Sequence, residues 1–133
     1  MKNRLTLFCF LFCFVSLYMF GQAQNQSYLN YIDQYKYMAV DQMLKHRIPA
    51  SITLAQGLLE SAAGKSRLAR EANNHFGIKC GGYWNGPYVL ANDDAPNERF
   101  RKYKSAKESY EDHSAFLKQP RYRSLFSPCA HPL

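Results

Sequence analysis

The sequence predicts an α+β domain that is mostly helical and carries a small β-hairpin flap. Three observations lead there. Apolar residues recur every three or four positions through residues 28–46 and again through 52–63. Between residues 73 and 103 the chain turns to Gly, Asn and aromatics, with two extended runs on either side of "NDDAPN". The sequence "SAKE" at 105–108 then has the form of a helix-opening capping box.

Ahead of these elements comes a segment that does not belong to the fold. A basic start, Met1 to Arg4, precedes the apolar run "LTLFCFLFCFVSLYMF" and then "GQAQ", with Gly21 and Ala23 placed for cleavage after Ala23. This is the layout of a secretory signal peptide, and at about 16 residues the run is shorter than the roughly 20 a spanning helix needs. Residues 1–23 are therefore expected to be removed, leaving 24–133 as one small domain that is secreted, periplasmic or wall-associated, with no stable membrane insertion. Removing Lys2 and Arg4 from the 17 Lys and Arg leaves 15 against 10 Asp and Glu, a net charge of about +5. A basic exported protein suits an acidic partner, but no nucleic-acid motif is present. Cys80 and Cys129 sit in unlike contexts and are not expected to pair, and His46, His75, His113 and His131 are scattered, so neither a metal site nor a cofactor is expected.

The first helix, 28–46, is read with Tyr28, Ile32, Tyr35, Ala39 and Met43 on its inner face. Pro49 breaks it, and Ser51 is the expected N-cap of a second helix, Ile52 to Ala63, whose inner stripe is Ile52, Ala55, Leu58 or Leu59, and Ala62. Gly64 is its natural stop, and Ser66 caps a short third helix, "RLAREA". The hairpin strands are expected at Tyr88–Ala91 and Arg99–Tyr103. The last helix runs from Ser105 to about Lys118 with Ala106, Tyr110, His113 and Leu117 on one face, followed by a short turn at "YRSLF".

The second helix places Glu60 near its end, with Gln56 one turn earlier and Gly57 on the neighbouring edge. A helical glycine costs about 1 kcal/mol relative to alanine. Either something must approach the helix there or another helix packs closely against it. Glu60 itself reads as a solvated surface acid or as a general acid at the mouth of a cleft.

The stretch "ITLAQGLLESAAGKSRLAREANNHFGIKC", then "YWNGPY" and "FRKYKSAKESYEDHSAFL", resembles the glucosaminidase family of bacterial peptidoglycan hydrolases, glycoside hydrolase family 73, over about Pro49 to Tyr122. The resemblance implies a lysozyme-like fold and cleavage of the glycan strand after N-acetylglucosamine, with Glu60 as the general acid. The expected partner is the peptidoglycan glycan strand, met by a monomer without a cofactor. A second carboxylate is expected in the flap, Asp94 or Asp93 ahead of Glu98, unless the substrate's own acetamido group takes that role. Sugar-stacking and hydrogen-bonding candidates are Asn74, Phe76, Tyr83, Trp84, Tyr88, Tyr103 and Tyr122, and Lys79, Arg101 and Lys102 are candidates for the carboxylates of stem peptides. Many members have Gly-Trp-Gly where this chain has Ala62-Ala63-Gly64, which removes an aromatic near the site. The ending "SLFSPCAHPL" does not resemble the family's closing helix, so the expected domain lacks it, as a natural short form or by truncation. The rival expectation is a non-catalytic glycan-binding module.

Overall fold

The computed structural model describes residues 25–81, 84–120 and 122. It contains helix α1 (25–46), α2 (Ala50–Glu60), α3 (Arg67–Ala72), strands β1 (Tyr88–Ala91) and β2 (Glu98–Arg101), and α4 (Ala106–Leu117). The expected mostly helical α+β architecture with one hairpin is what the chain adopts. The leader, Tyr83, Cys129 and most of "YRSLF" lie outside the described residues. No helix among the described residues is long and apolar enough to cross a membrane.

Helix α1 turns a different face inward from the one its apolar spacing suggests. Tyr31, Ala39 and Gln42 are buried and Tyr35 half-buried, whereas Tyr28, Ile32 and Met43 are each more than a third exposed. Apolar residues occupy most of this helix's circumference, so pattern alone leaves the inner face undetermined. The partners decide it: the Tyr31 hydroxyl lies 3.0 Å from His75 Nδ1 and 3.0 Å from the Tyr110 hydroxyl, drawing residue 31 inward.

Helix α2 departs further from expectation. Its N-cap is Pro49, not Ser51, and no side chain caps it; the Pro49 carbonyl accepts from the Ile52 and Thr53 amides. The helix stops at Glu60, short of Ala63. The stripe expected to be buried faces water, with Ile52 and Leu59 52% and 72% exposed. The buried edge is instead Thr53, Gly57 and Ser61, spaced by four and all small. A Cβ on Gly57 would stand 2.7 Å from the Tyr31 hydroxyl oxygen, 3.1 Å from that of Tyr110 and 3.3 Å from Phe76 Cε1. Gly57 is therefore where the helix presses onto an aromatic cluster, and close packing accounts for the glycine.

After Glu60 the backbone runs through three consecutive left-handed residues, Ala62 (φ 50°), Ala63 (φ 55°) and Gly64 (φ 78°). The Gly64 amide donates to Ser61 Oγ at 2.7 Å, closing the turn. As expected, Ser66 caps α3, its hydroxyl accepting from the Ala69 amide. Asn74 then serves as a hub: its Nδ2 donates to the carbonyls of Ile78 and Arg101, and its Oδ1 accepts from the Ile78 amide.

β1 lies where expected and pairs antiparallel with β2, Tyr88 opposite Arg101 and Ala91 opposite Glu98. β2 starts one residue early and ends at Arg101, because the Tyr103 amide leaves the sheet and donates to Ala72 O at 2.8 Å. On its other side β2 holds the 78–80 segment through Cys80 N to Arg99 O and Arg101 N to Ile78 O. α4 opens as its capping box requires on the Ser105 side, while Glu108 reaches back to the Lys104 amide, one residue before the cap. Its expected inner residues Tyr110, His113 and Leu117 are buried. The core joins Ala39, Phe76, Ile78 and Tyr110, so it is built from α1, α4 and the 74–78 loop beneath α2.

Gly57→Ala should lower stability by about 1–3 kcal/mol through overpacking. The urea midpoint of unfolding measures it, and part of the loss should return in the Tyr31→Phe background, where the closest clashing atom is gone.

Candidate active site

A groove of about 910 Å³ opens at the C-terminal end of α2. Gln56 and Glu60 line it from α2, the 76–81 segment with Arg101 contributes a second part, and His113, Phe116 and Leu117 of α4 with Gln119, Pro120 and Tyr122 beyond it form a third. Glu60 is the only carboxylate among its described lining residues. The side chain is exposed and makes no hydrogen bond or ion pair with a described residue. Gly77, in the left-handed region at φ 59°, stands beside it: a Cβ there would be 3.9 Å from Glu60 Oε2. The last turn of a helix pinned at Gly57 thus presents one unpaired acid to an open groove.

The two cations among the groove's described residues, Lys79 and Arg101, are already neutralised. Lys79 Nζ lies 2.8 Å from Asp93 Oδ2, 2.9 Å from Asp94 Oδ2 and 3.0 Å from Glu98 Oε1. Hydrogen bonds to these three carboxylates, that to Asp93 foremost, hold the Lys79 ammonium well above the usual lysine range. Arg101 Nη1 donates to both oxygens of Asp112, at 2.9 and 2.7 Å, and its guanidinium stands 4.8 Å from the Trp84 ring. Tyr103 also donates to Asp112 Oδ2, and burial with that hydrogen bond pushes its phenol far up. Three carboxylates around one lysine resemble a cation site, but the ammonium occupies its centre.

Of the residues expected to form the site, the structure brings Glu60, Phe76 and Tyr122 together in the groove. Asp93 and Asp94 sit at the exposed hairpin tip and do not line it, although Lys79, which holds them, does. Asn74 is 1% exposed and ties loop to strand. Tyr103 is buried against Asp112, Trp84 packs edge-on to Tyr103 and donates to Pro87 O, and Tyr88 lies exposed beside Arg99. Lys79 and Arg101 line the groove already paired, and Lys102 is exposed outside it. His113 and Leu117, which spacing places on the buried face of α4, also line the groove, and so does Phe116, which is not among the residues expected on that face. The H-x-x-F-L spacing was the available signal, since three or four residues along a helix return to the same side.

Two histidines are buried and uncharged. Burial pulls both His75 and His113 down to about 4, the latter against the opposing pull of Asp112. His113 lies parallel to the Phe76 ring, centroids 3.9 Å apart.

The family model for glucosaminidase, described as mannosyl-glycoprotein endo-beta-N-acetylglucosaminidase, matches residues 36–131. This chain belongs to the glucosaminidase family of glycoside hydrolases. Among glucosaminidase relatives, the exo-glucosaminidase LytG of Bacillus subtilis (strain 168) is 40% identical over 78 residues, 53% of this chain and 27% of LytG. The peptidoglycan hydrolase FlgJ of Escherichia coli (strain K12) is 33% identical over 91 residues, 59% of this chain and 29% of FlgJ. The match therefore spans less than a third of the length of either curated relative. The glycoside hydrolase domain of Salmonella typhimurium FlgJ superposes with a TM-score of 0.65 at 27% identity, covering 77% of this chain and 68% of that one. A peptidoglycan hydrolase from Sphingomonas sp. A1 superposes at 0.63 and 30% identity, covering 70% and 64%. The lysozyme-like glucosaminidase fold is thus the fold of this chain.

Because folded His75 and His113 bind protons only near pH 4 whereas the unfolded chain binds them near 6.5, the unfolded state holds more protons between those values. Stability is fully present above about pH 6.5 and falls as the pH drops toward 4, by on the order of 2 kcal/mol per ring. Denaturant midpoints from pH 7.5 to 4.5 should decline accordingly. A flat profile would show that the two rings protonate without unfolding cost.

Proposed function

We propose that the chain is an exported peptidoglycan hydrolase that cuts the glycan strand after N-acetylglucosamine, leaving that sugar at the new reducing end. One observation carries the reading: Glu60 is the unpaired carboxylate of the groove in a glucosaminidase-family fold. The relatives named as peptidoglycan hydrolases supply the substrate class. Export follows from the leader read at residues 1–23, and the domain acts as a monomer on wall glycan.

In this reading Glu60 is the general acid. It gives its proton to the glycosidic oxygen as the bond from the anomeric carbon breaks, and the departing sugar leaves with a hydroxyl. A carboxyl acting this way must hold its proton until the strand is in place. Covering a carboxyl with substrate removes water and favours the protonated form. The positive charge developing on the anomeric carbon calls for a second group, and a water molecule then supplies the oxygen of the new reducing end and the proton that restores the acid. Asp94 or Asp93, held by Lys79 at the hairpin tip, is the protein candidate, and the substrate's acetamido oxygen is the other.

Incubating the chain and its Glu60→Gln variant with purified peptidoglycan, with fragments read by mass spectrometry, tests the reading. Reducing N-acetylglucosamine ends are expected from the unmodified chain, falling at least about 100-fold in rate for Glu60→Gln. Reducing or anhydro-muramic ends would reject the bond assignment. No fragments from a folded chain that still binds the wall would favour the binding module.

Asp93→Asn and Asp94→Asn separate the two assisting groups. If one of them supplies the second carboxylate, its replacement should slow turnover about 100-fold with little change in KM. Unchanged turnover in both variants and in the double variant would assign the role to the substrate.

A further inference from the structure

Among the groove's described polar side chains that this chemistry does not use, His113 is the most enclosed. His113 is 6% exposed, and its Nδ1 is buried without a hydrogen-bond partner. Its ring makes no hydrogen bond to any described residue, although it lines the groove. A buried nitrogen left unpaired costs least as a bare lone pair, which puts the proton of the neutral ring on the other nitrogen. Since Nδ1 is the enclosed nitrogen, Nε2 is the atom left to meet a ligand.

The surroundings restrict what that ligand group can be. His113 is stacked face to face on Phe76, with Phe116 and Leu117 also lining the groove, so this part of the wall is apolar. Burial keeps the imidazole uncharged near neutral pH. The nearby cations Lys79 and Arg101 are neutralised by their own carboxylates. A peptide carboxylate would find no cation free of a carboxylate partner among the groove's described residues. An uncharged group with a methyl at one end and an amide at the other satisfies both the rings and the nitrogen. His113 and Phe76 share the groove with Glu60, and Gly77, the residue after Phe76, stands beside that carboxylate.

We infer that His113, with Phe76 and Phe116, seats the N-acetyl group of the sugar beside Glu60 and makes N-acetylation a requirement for binding. The inference rests on the groove being the glycan site proposed above. In the neutral ring one nitrogen carries the proton. Placing it on Nε2 lets that N–H donate to the acetamido carbonyl oxygen and leaves only a lone pair enclosed at Nδ1, a smaller loss than an enclosed N–H. Phe76 and Phe116 then meet the methyl.

Calorimetry in the Glu60→Gln background, where strands bind without being cut, measures affinity for a tetramer of N-acetylglucosamine and for its de-N-acetylated glucosamine counterpart. His113→Phe preserves a ring to stack on Phe76 and removes only the nitrogens. It should weaken the acetylated tetramer about tenfold or more and leave the de-N-acetylated one unchanged. On the protein with His113 intact, the His113 ring ¹⁵N resonances should move on adding the acetylated tetramer and not the other, a readout that does not depend on the variant folding. Equal binding of both tetramers, an unmoved His113 resonance, or a folded His113→Phe variant with unaltered affinity each overturns the inference while leaving the groove as the glycan site. If neither tetramer binds, the glycan reading of the groove fails with it.

Discussion

The hydroxyl groups of Tyr31 and Tyr110 meet 3.0 Å apart under Gly57, and the Tyr31 hydroxyl is equally close to His75 Nδ1. Three parts of the chain converge there, α1 through Tyr31, the loop after α3 through His75 and α4 through Tyr110. The absence of a side chain at Gly57 lets α2 settle onto them. Glycine in a helix is intrinsically unfavourable, by about 1 kcal/mol against alanine. Here that cost is offset by the approach it permits. The approach fixes the height and rotation of α2, and Glu60 is three residues further along the same helix. A bulkier residue at 57 would lift the helix and carry the acid with it.

The electrostatics of the groove follow from where the other charges are spent. Lys79 is absorbed by the hairpin tip, and Arg101 by Asp112 together with Tyr103 and Trp84. These contacts tie the hairpin to the helical body from both sides, since β2 is also hydrogen-bonded to the 78–80 segment. Among the described residues, what remains facing the groove is one carboxylate, an uncharged histidine, two glutamines and several rings. Such a surface suits a neutral, partly apolar polymer such as an N-acetylated sugar strand better than a charged peptide.

Much of the domain was legible in the sequence because local rules governed it. Ser66 and Ser105 cap helices because each hydroxyl stands directly before a helical run, and "NDDAPN" turns the chain between two strands. Tyr110, His113 and Leu117 share a face by spacing alone. Glu60 could be singled out as a candidate acid from its place at the end of a helix and from the ordered motifs around it. The inner faces of α1 and α2 could not be read in the same way. Each has apolar residues on more than one side, so hydrophobic periodicity does not choose between them. The choice went to the faces carrying Tyr31, Thr53, Gly57 and Ser61, because these allow the closest packing.

The sequence by itself determined the class of fold, the order of its elements, the hairpin and the position of one candidate acid, since each depends on residues within a few places of one another. Only the tertiary structure decided that Gly57 is a packing contact, that Asn74 and Tyr103 serve the scaffold, and that Lys79 is enclosed by the hairpin's acids. It alone placed His113 and Phe116 in the same groove as Glu60. Those outcomes depend on atoms brought together from distant parts of the chain, where distance and burial, not spacing along the sequence, set which group a side chain meets.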